Sequence, residues 1–155
     1  MTNSQIRRFG STYSSSLDAS REACSELNDF WQQAGIEEEF SSQVELCIVE
    51  MMNNAFLHAY QQQEGLPIEL ECEFYTKAPP QLKLSISDRG SAMSQQELDS
   101  KLSNQFIEPD PEDESTWTTS GRGFIIVSSL MDSVELKKEG DKNTFVMVKV
   151  LVEFD

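Results

Sequence analysis

Residues 50–60 read EMMNNAFLHAY, and their reading decides the fold. Met51, Ala55 and Ala59 recur every four residues, and with Val44, Cys47 and Ile48 they extend one apolar stripe back to about residue 41. That is the helical period, so a helix is predicted over 41–60. Glu50, Asn53, Asn54 and His58 interrupt it. Asn is a weak helix former, so two together disfavour the helix unless they do something else. Residues four apart lie about 40° apart around a helix axis. Glu50 and Asn54 therefore share a row, continued by His58, along the border of the apolar stripe. A carboxylate and an amide carbonyl are hard oxygen donors suited to Mg²⁺, and a carboxylate there can also take a proton from a hydroxyl. Read alone, the same row also fits the solvated edge of an amphipathic helix.

Working outward, 17–34 is a second helix, with Ala23, Leu27, Phe30, Trp31 and Ala34 on one stripe and Gly35 placed to end it. The acidic run 37–39 sits where a helix N-terminus favours negative charge. After residue 67 the period changes to two. In IELECEF, Ile68, Leu70, Cys72 and Phe74 alternate with Glu69, Glu71 and Glu73, which describes a strand with one buried and one wet face. LKLSIS repeats the alternation up to Asp88. Residues 5–13 are expected to form a short first strand, 94–103 a short helix, and GRGFIIVSSLM a helix opened by glycines. The last segment closes as a hairpin turning near 140–143. The sum is an α+β fold, a two-layer α/β sandwich whose mixed, largely antiparallel sheet is covered by helices on one face. No repeat or linker divides the chain, so residues 1–155 are expected to form one domain.

Bulk composition narrows the function. Twelve basic residues against 27 acidic leave a net charge of −15, which disfavours direct contact with nucleic acid. Three cysteines without a C-x-x-C spacing argue against a disulfide framework or structural zinc and suit a reducing cytoplasm. No signal-peptide h-region and no membrane span are visible.

Two further motifs carry chemistry. In SISDRGSAM, Asp88 closes a strand and Gly90 follows. A carboxylate there can accept from an amino group such as that of adenine, and a glycine lets a flat ligand approach the backbone. In TSGRGFIIV, Gly121 and Gly123 open a helix whose free N–H groups suit phosphate. Alone, these also fit an ordinary Asp-x-Gly turn and a flexible helix entry.

Together, E-x-x-x-N on a helix, D-x-G after a strand and G-x-G before a helix resemble, in order and spacing, the nucleotide-binding boxes of the GHKL ATPases. VEMMNNAFLHAY and GRGFIIVSSLMDSVEL are most similar to the small serine kinases that serve as anti-sigma factors, the RsbW/SpoIIAB-like group. The resemblance implies the Bergerat fold, ATP or ADP with Mg²⁺, and a role for each unusual residue. Asn54 would ligate Mg²⁺ and Glu50 would be the base that activates a substrate serine. Asp88 would bind the adenine amino group, with Gly90 making room. Gly121, Arg122 and Gly123 would fold over the phosphates, and about 94–120 would be the ATP lid. Thr144, in KNTF, matches a threonine that supports the adenine-binding Asp. The resemblance implies phosphorylation of a STAS-domain anti-anti-sigma protein, sequestration of a sigma factor, a cytoplasmic location and a homodimer.

The sequence also departs from that pattern. Ala92 stands where many relatives have a second glycine, and no Lys or Arg lies between Lys101 and Arg122, a stretch containing EPDPEDE. Thr119 and Ser120 stand where relatives often carry a basic residue. Phosphoryl transfer needs cationic help at the developing charge. A nucleotide-gated module that sequesters a partner without catalysis is therefore the alternative. The catalytic half of a histidine kinase is disfavoured, because the only histidine, His58, lies inside the Glu50–Asn54 helix.

Overall fold

The computed structural model describes residues 6–77, 79–91, 96 and 122–151. In chain order the elements are β1 (Ile6–Ser14), α1 (Ala19–Ala34), α2 (Glu38–Asn54) continued by a π-helical turn (Ala55–Ala59), β2 (Pro67–Tyr75), β3 (Gln81–Asp88), α3 (Arg122–Leu130), β4 (Ser133–Glu139) and β5 (Lys142–Val150). The strands form one sheet in the order β1-β2-β3-β5-β4. Every pairing among the described residues is antiparallel.

Period-two alternation sets the two faces of the sheet. On β2, Ile68, Leu70, Cys72 and Phe74 are buried, and on β3 Leu82, Leu84 and Ile86 continue that face. The helices cover it: Ala23, Leu27 and Trp31 of α1 and Val44, Ile48 and Met51 of α2 are buried in the same core. Each such large apolar side chain contributes about 1.5–3 kcal/mol when fully buried. The opposite face carries charge, with Arg8 paired to Glu73 and Lys142 to Glu69.

Helix α1 stops at Gly35, whose φ of 78° is left-handed and costs a residue with a Cβ more than a glycine. Its N–H and that of Ile36 satisfy the carbonyls of Gln32 and Trp31. Helix α2 begins at Glu38, earlier than the stripe predicts, because Glu38 and Glu39 form its acidic first turn. Its other end departs from expectation. The α-helix runs only to Asn54, and the Tyr60 N–H reaches back five residues to the Ala55 carbonyl at 2.9 Å. The apolar positions 51, 55 and 59 fit an ordinary helix equally well, so spacing could not reveal the wider turn. The lid expected over 94–120 lies outside the described residues apart from residue 96.

Candidate active site

The site is organised by the last residue of β3. Antiparallel register sets Asp88 opposite Asn143 and Ser87 opposite Thr144. Because faces alternate, Asp88 and Asn143 share the helix-covered side while Ser87 and Thr144 share the other. Asp88 is only 3% exposed and Asn143 5%. Asp88 Oδ1 accepts from the Gly90 N–H at 2.9 Å and from Asn143 Nδ2 at 3.1 Å. Asn143 Nδ2 also donates to the Gly90 carbonyl at 3.0 Å. Burial pushes the Asp88 carboxyl above its ordinary range, and the two hydrogen bonds act against that rise. A carboxylate buried this deeply, with one oxygen held by the protein, is suited to accept a hydrogen bond from a ligand.

Among the described residues Thr144 makes no side-chain hydrogen bond to Asp88. Its hydroxyl pairs with that of Ser87 at 2.8 Å, and Asn143 makes the direct contact. A step of one residue along a strand moves a side chain to the other face, so Asn143 and not Thr144 lies on the Asp88 side of the sheet. Alternation along β5 carried the missing signal, since Asn143, Phe145 and Met147 share the buried face.

Gly90 explains how the Asp88 turn meets α2. A Cβ there would lie 2.2 Å from the Ala59 oxygen and 2.5 Å from its carbonyl carbon. The space opened by the missing side chain is thus taken by the backbone of the π turn. The Ser91 N–H donates to the Ala59 carbonyl at 2.9 Å. Tyr60 adds a further tie: its hydroxyl accepts from the Arg89 N–H at 2.8 Å and donates to the Pro67 carbonyl at 2.5 Å. Arg89 also pairs with Asp141 in the β4–β5 turn. The Asp88–Ser91 turn and the end of α2 are therefore held as one unit. Tyr60→Phe should lower Tm by about 3 °C, since removing the hydroxyl leaves two backbone groups short of a partner. Thermal denaturation by circular dichroism checks this, and an unchanged Tm would show that water replaces both bonds.

Glu50 and Asn54 lie one turn apart near the end of α2, half-buried beside the buried Met51 and Ala55, as the stripe predicts. The row ends with the α-helix at Asn54, and His58, on the π turn, is exposed. Asn53 Oδ1 is buried with no hydrogen-bond partner among the described residues. Helix α3 packs beside α2. Its C-terminal end is pinned to β5: Lys149 donates to the Leu130 carbonyl at 2.7 Å, Asp132 N–H to the Val148 carbonyl at 2.8 Å, and Val150 N–H to Asp132 Oδ2 at 2.6 Å. Arg122 and Gly123 form the other, opening end of α3, and Gly121 lies outside the described residues.

The donor set suits magnesium shared with a phosphate better than a closed protein cage. Among the described residues no three His, Cys, Asp or Glu side chains converge on a metal position. Magnesium is commonly held by one or two protein oxygens together with substrate phosphates and water, which the Glu50–Asn54 edge can supply.

An antiparallel sheet backed by helices, with an acidic acceptor at a strand end and an oxygen pair on the neighbouring helix, defines a class that the comparisons identify. Residues 13–149 match the model of the histidine kinase-like ATPase domain, and the chain belongs to that family. No curated relative matches the sequence. The fold is similar to a chain in the crystal structure of the SiaB–SiaC complex from Pseudomonas aeruginosa, with a TM-score of 0.58 at 12% identity, covering 95% of this chain and 91% of that one. Family membership implies ATP or ADP as the ligand. No described helix is long and apolar enough to cross a membrane.

Proposed function

We propose that this protein is an ATP-dependent protein-serine kinase acting as an anti-sigma factor in a partner-switching pathway. The observation that carries the proposal is the joining of two halves of a site. The buried acceptor Asp88 sits on a turn fixed to the same helix that displays Glu50 and Asn54. In this reading Asp88 accepts from the adenine amino group. Asn54 supplies an oxygen to Mg²⁺, which would neutralise phosphate charge. Glu50 takes the proton of a substrate serine hydroxyl as its oxygen bonds to the γ-phosphorus, and ADP leaves with the electrons of the broken P–O bond. Gly121, Arg122 and Gly123 serve the phosphates, as the motif resemblance implies, and Thr144 contributes through Ser87 by bracing the strand that carries Asp88. The substrate is a STAS-domain anti-anti-sigma protein, the sequestered partner is a sigma factor, and the working form is a cytoplasmic homodimer.

One observation favours a second reading. The stretch 102–121 has no Lys or Arg and contains five acids in EPDPEDE. A lid of that charge repels phosphate, which suits sequestration gated by nucleotide without transfer.

The first test is ligand linkage. Mg·ADP at a hundred times its Kd should stabilise the fold by about 2.7 kcal/mol, raising Tm by about 5–10 °C. Asp88→Asn should abolish most of that shift, because an amide offers a weaker acceptor than a carboxylate. No shift across millimolar nucleotide in a folded sample overturns the proposal. Labelled ATP with candidate STAS proteins then separates the two readings: transfer to serine supports the kinase, and nucleotide-dependent binding without transfer supports the sequestration module.

A further inference from the structure

We infer that Asn143 is a positioning residue that sets the nucleobase specificity of the Asp88 site; this rests on the nucleotide reading above. The inference starts from the hydrogen-bond count. Both groups that Asn143 Nδ2 faces, Asp88 Oδ1 and the Gly90 carbonyl, are acceptors. The side chain must therefore present its NH₂ there and spend both protons. With the Gly90 N–H added, Oδ1 accepts two bonds, and both of Asp88's bonds among the described residues fall on that one oxygen.

Two consequences follow. The carboxylate plane is fixed, with Oδ2 left as the acceptor for a ligand. The two donors on Oδ1 also favour the charged form of the carboxyl, against burial, which favours the neutral acid. An ionised carboxylate is acceptor-only. It accepts from an amino group on a purine and repels a carbonyl at the same place. A neutral carboxylic acid could donate to that carbonyl instead, so loss of Asn143 loosens the choice.

Asn143 is held by the fold. It lies directly opposite Asp88 in the β3–β5 register and is buried. A threonine here would offer one hydroxyl proton where Asn offers two, and could not hold Asp88 and the Gly90 carbonyl together. The Asn thus locks the Asp88–Gly90 turn as well as orienting the carboxylate.

The test compares ADP with IDP, whose base has a carbonyl in place of the adenine amino group. Calorimetry on the full chain should show wild type preferring ADP. Asn143→Ala should weaken ADP binding by about 10–100-fold, the usual range for one hydrogen bond to a charged group, while IDP changes much less. The ADP:IDP ratio therefore falls by at least about tenfold, which general loosening of the fold would not produce. Asn143→Thr, which keeps one donor, should recover part of the ratio and stands in if the alanine variant does not fold. An unchanged ratio in either variant, or a wild type that binds ADP and IDP equally, overturns the specificity role while leaving the nucleotide reading standing. A wild type that binds neither overturns both.

Discussion

Gly90→Ala is expected to lower Tm by about 10 °C, a loss of about 3 kcal/mol. The added methyl would sit 2.2 Å from the Ala59 oxygen and 3.0 Å from Tyr60 Cδ1. Its obstacle is backbone held in a hydrogen-bonded turn, which cannot swing aside as the end of a flexible side chain can. Relief requires moving the Asp88–Ser91 turn away from α2, which breaks the Ser91–Ala59 bond and pulls on the Tyr60–Arg89 bond. Gly10→Ala provides the control, since its methyl would meet nothing closer than 3.8 Å and should leave Tm nearly unchanged. Thermal denaturation of both variants decides the matter. Equal stability of the two would mean that the turn and the helix are not packed as described.

Glu50→Gln is expected to retain nucleotide and to lose phosphoryl transfer by about 10²–10⁴-fold, the span typical for removing a general base. If Asn54 holds Mg²⁺ as proposed, Asn54→Ala should behave differently, weakening Mg²⁺-dependent binding and transfer together, because loss of a metal ligand affects the ground state as well as the reaction. The two residues lie one helical turn apart on α2, so a shared loss of helix structure would affect both alike. Divergence between calorimetric affinity and transfer rate therefore reports separate chemical roles. Wild-type transfer by Glu50→Gln to a STAS substrate would remove Glu50 from the base assignment.

Much of this arrangement was legible in the sequence because it depends on local periods. The alternation of Ile68, Leu70, Cys72 and Phe74 with three glutamates states both the strand and its buried face. The Ala23–Leu27–Trp31 stripe and Gly35 state α1 and its end. Three features were not legible, each for a physical reason. The π turn keeps the apolar spacing of an α-helix, so only its hydrogen bond to Ala55 distinguishes it. The function of Gly90 depends on Ala59, a neighbour in space and distant along the chain; the motif suggests room for a ligand, and the room is filled by backbone. Asn143 and Thr144 are adjacent and both polar; alternation along β5 puts Asn143 on the buried face, and the register of β5 against β3 is what sets it opposite Asp88. Membership of the histidine kinase-like ATPase family agrees with the motif order, which did not depend on any of these three contacts.

The cysteines carry a practical consequence. Cys24, Cys47 and Cys72 are all buried and unpaired, and burial pushes each thiol up to about 12. At pH 7 only about one thiol in 10⁵ is then the reactive thiolate. The three native thiols are therefore expected to react slowly with maleimides in the folded chain, with no native cysteine replaced. A single cysteine introduced on the exposed sheet face is expected to react much faster than these three. A fluorophore could be attached there while the core, and the site built on it, keeps its native sequence.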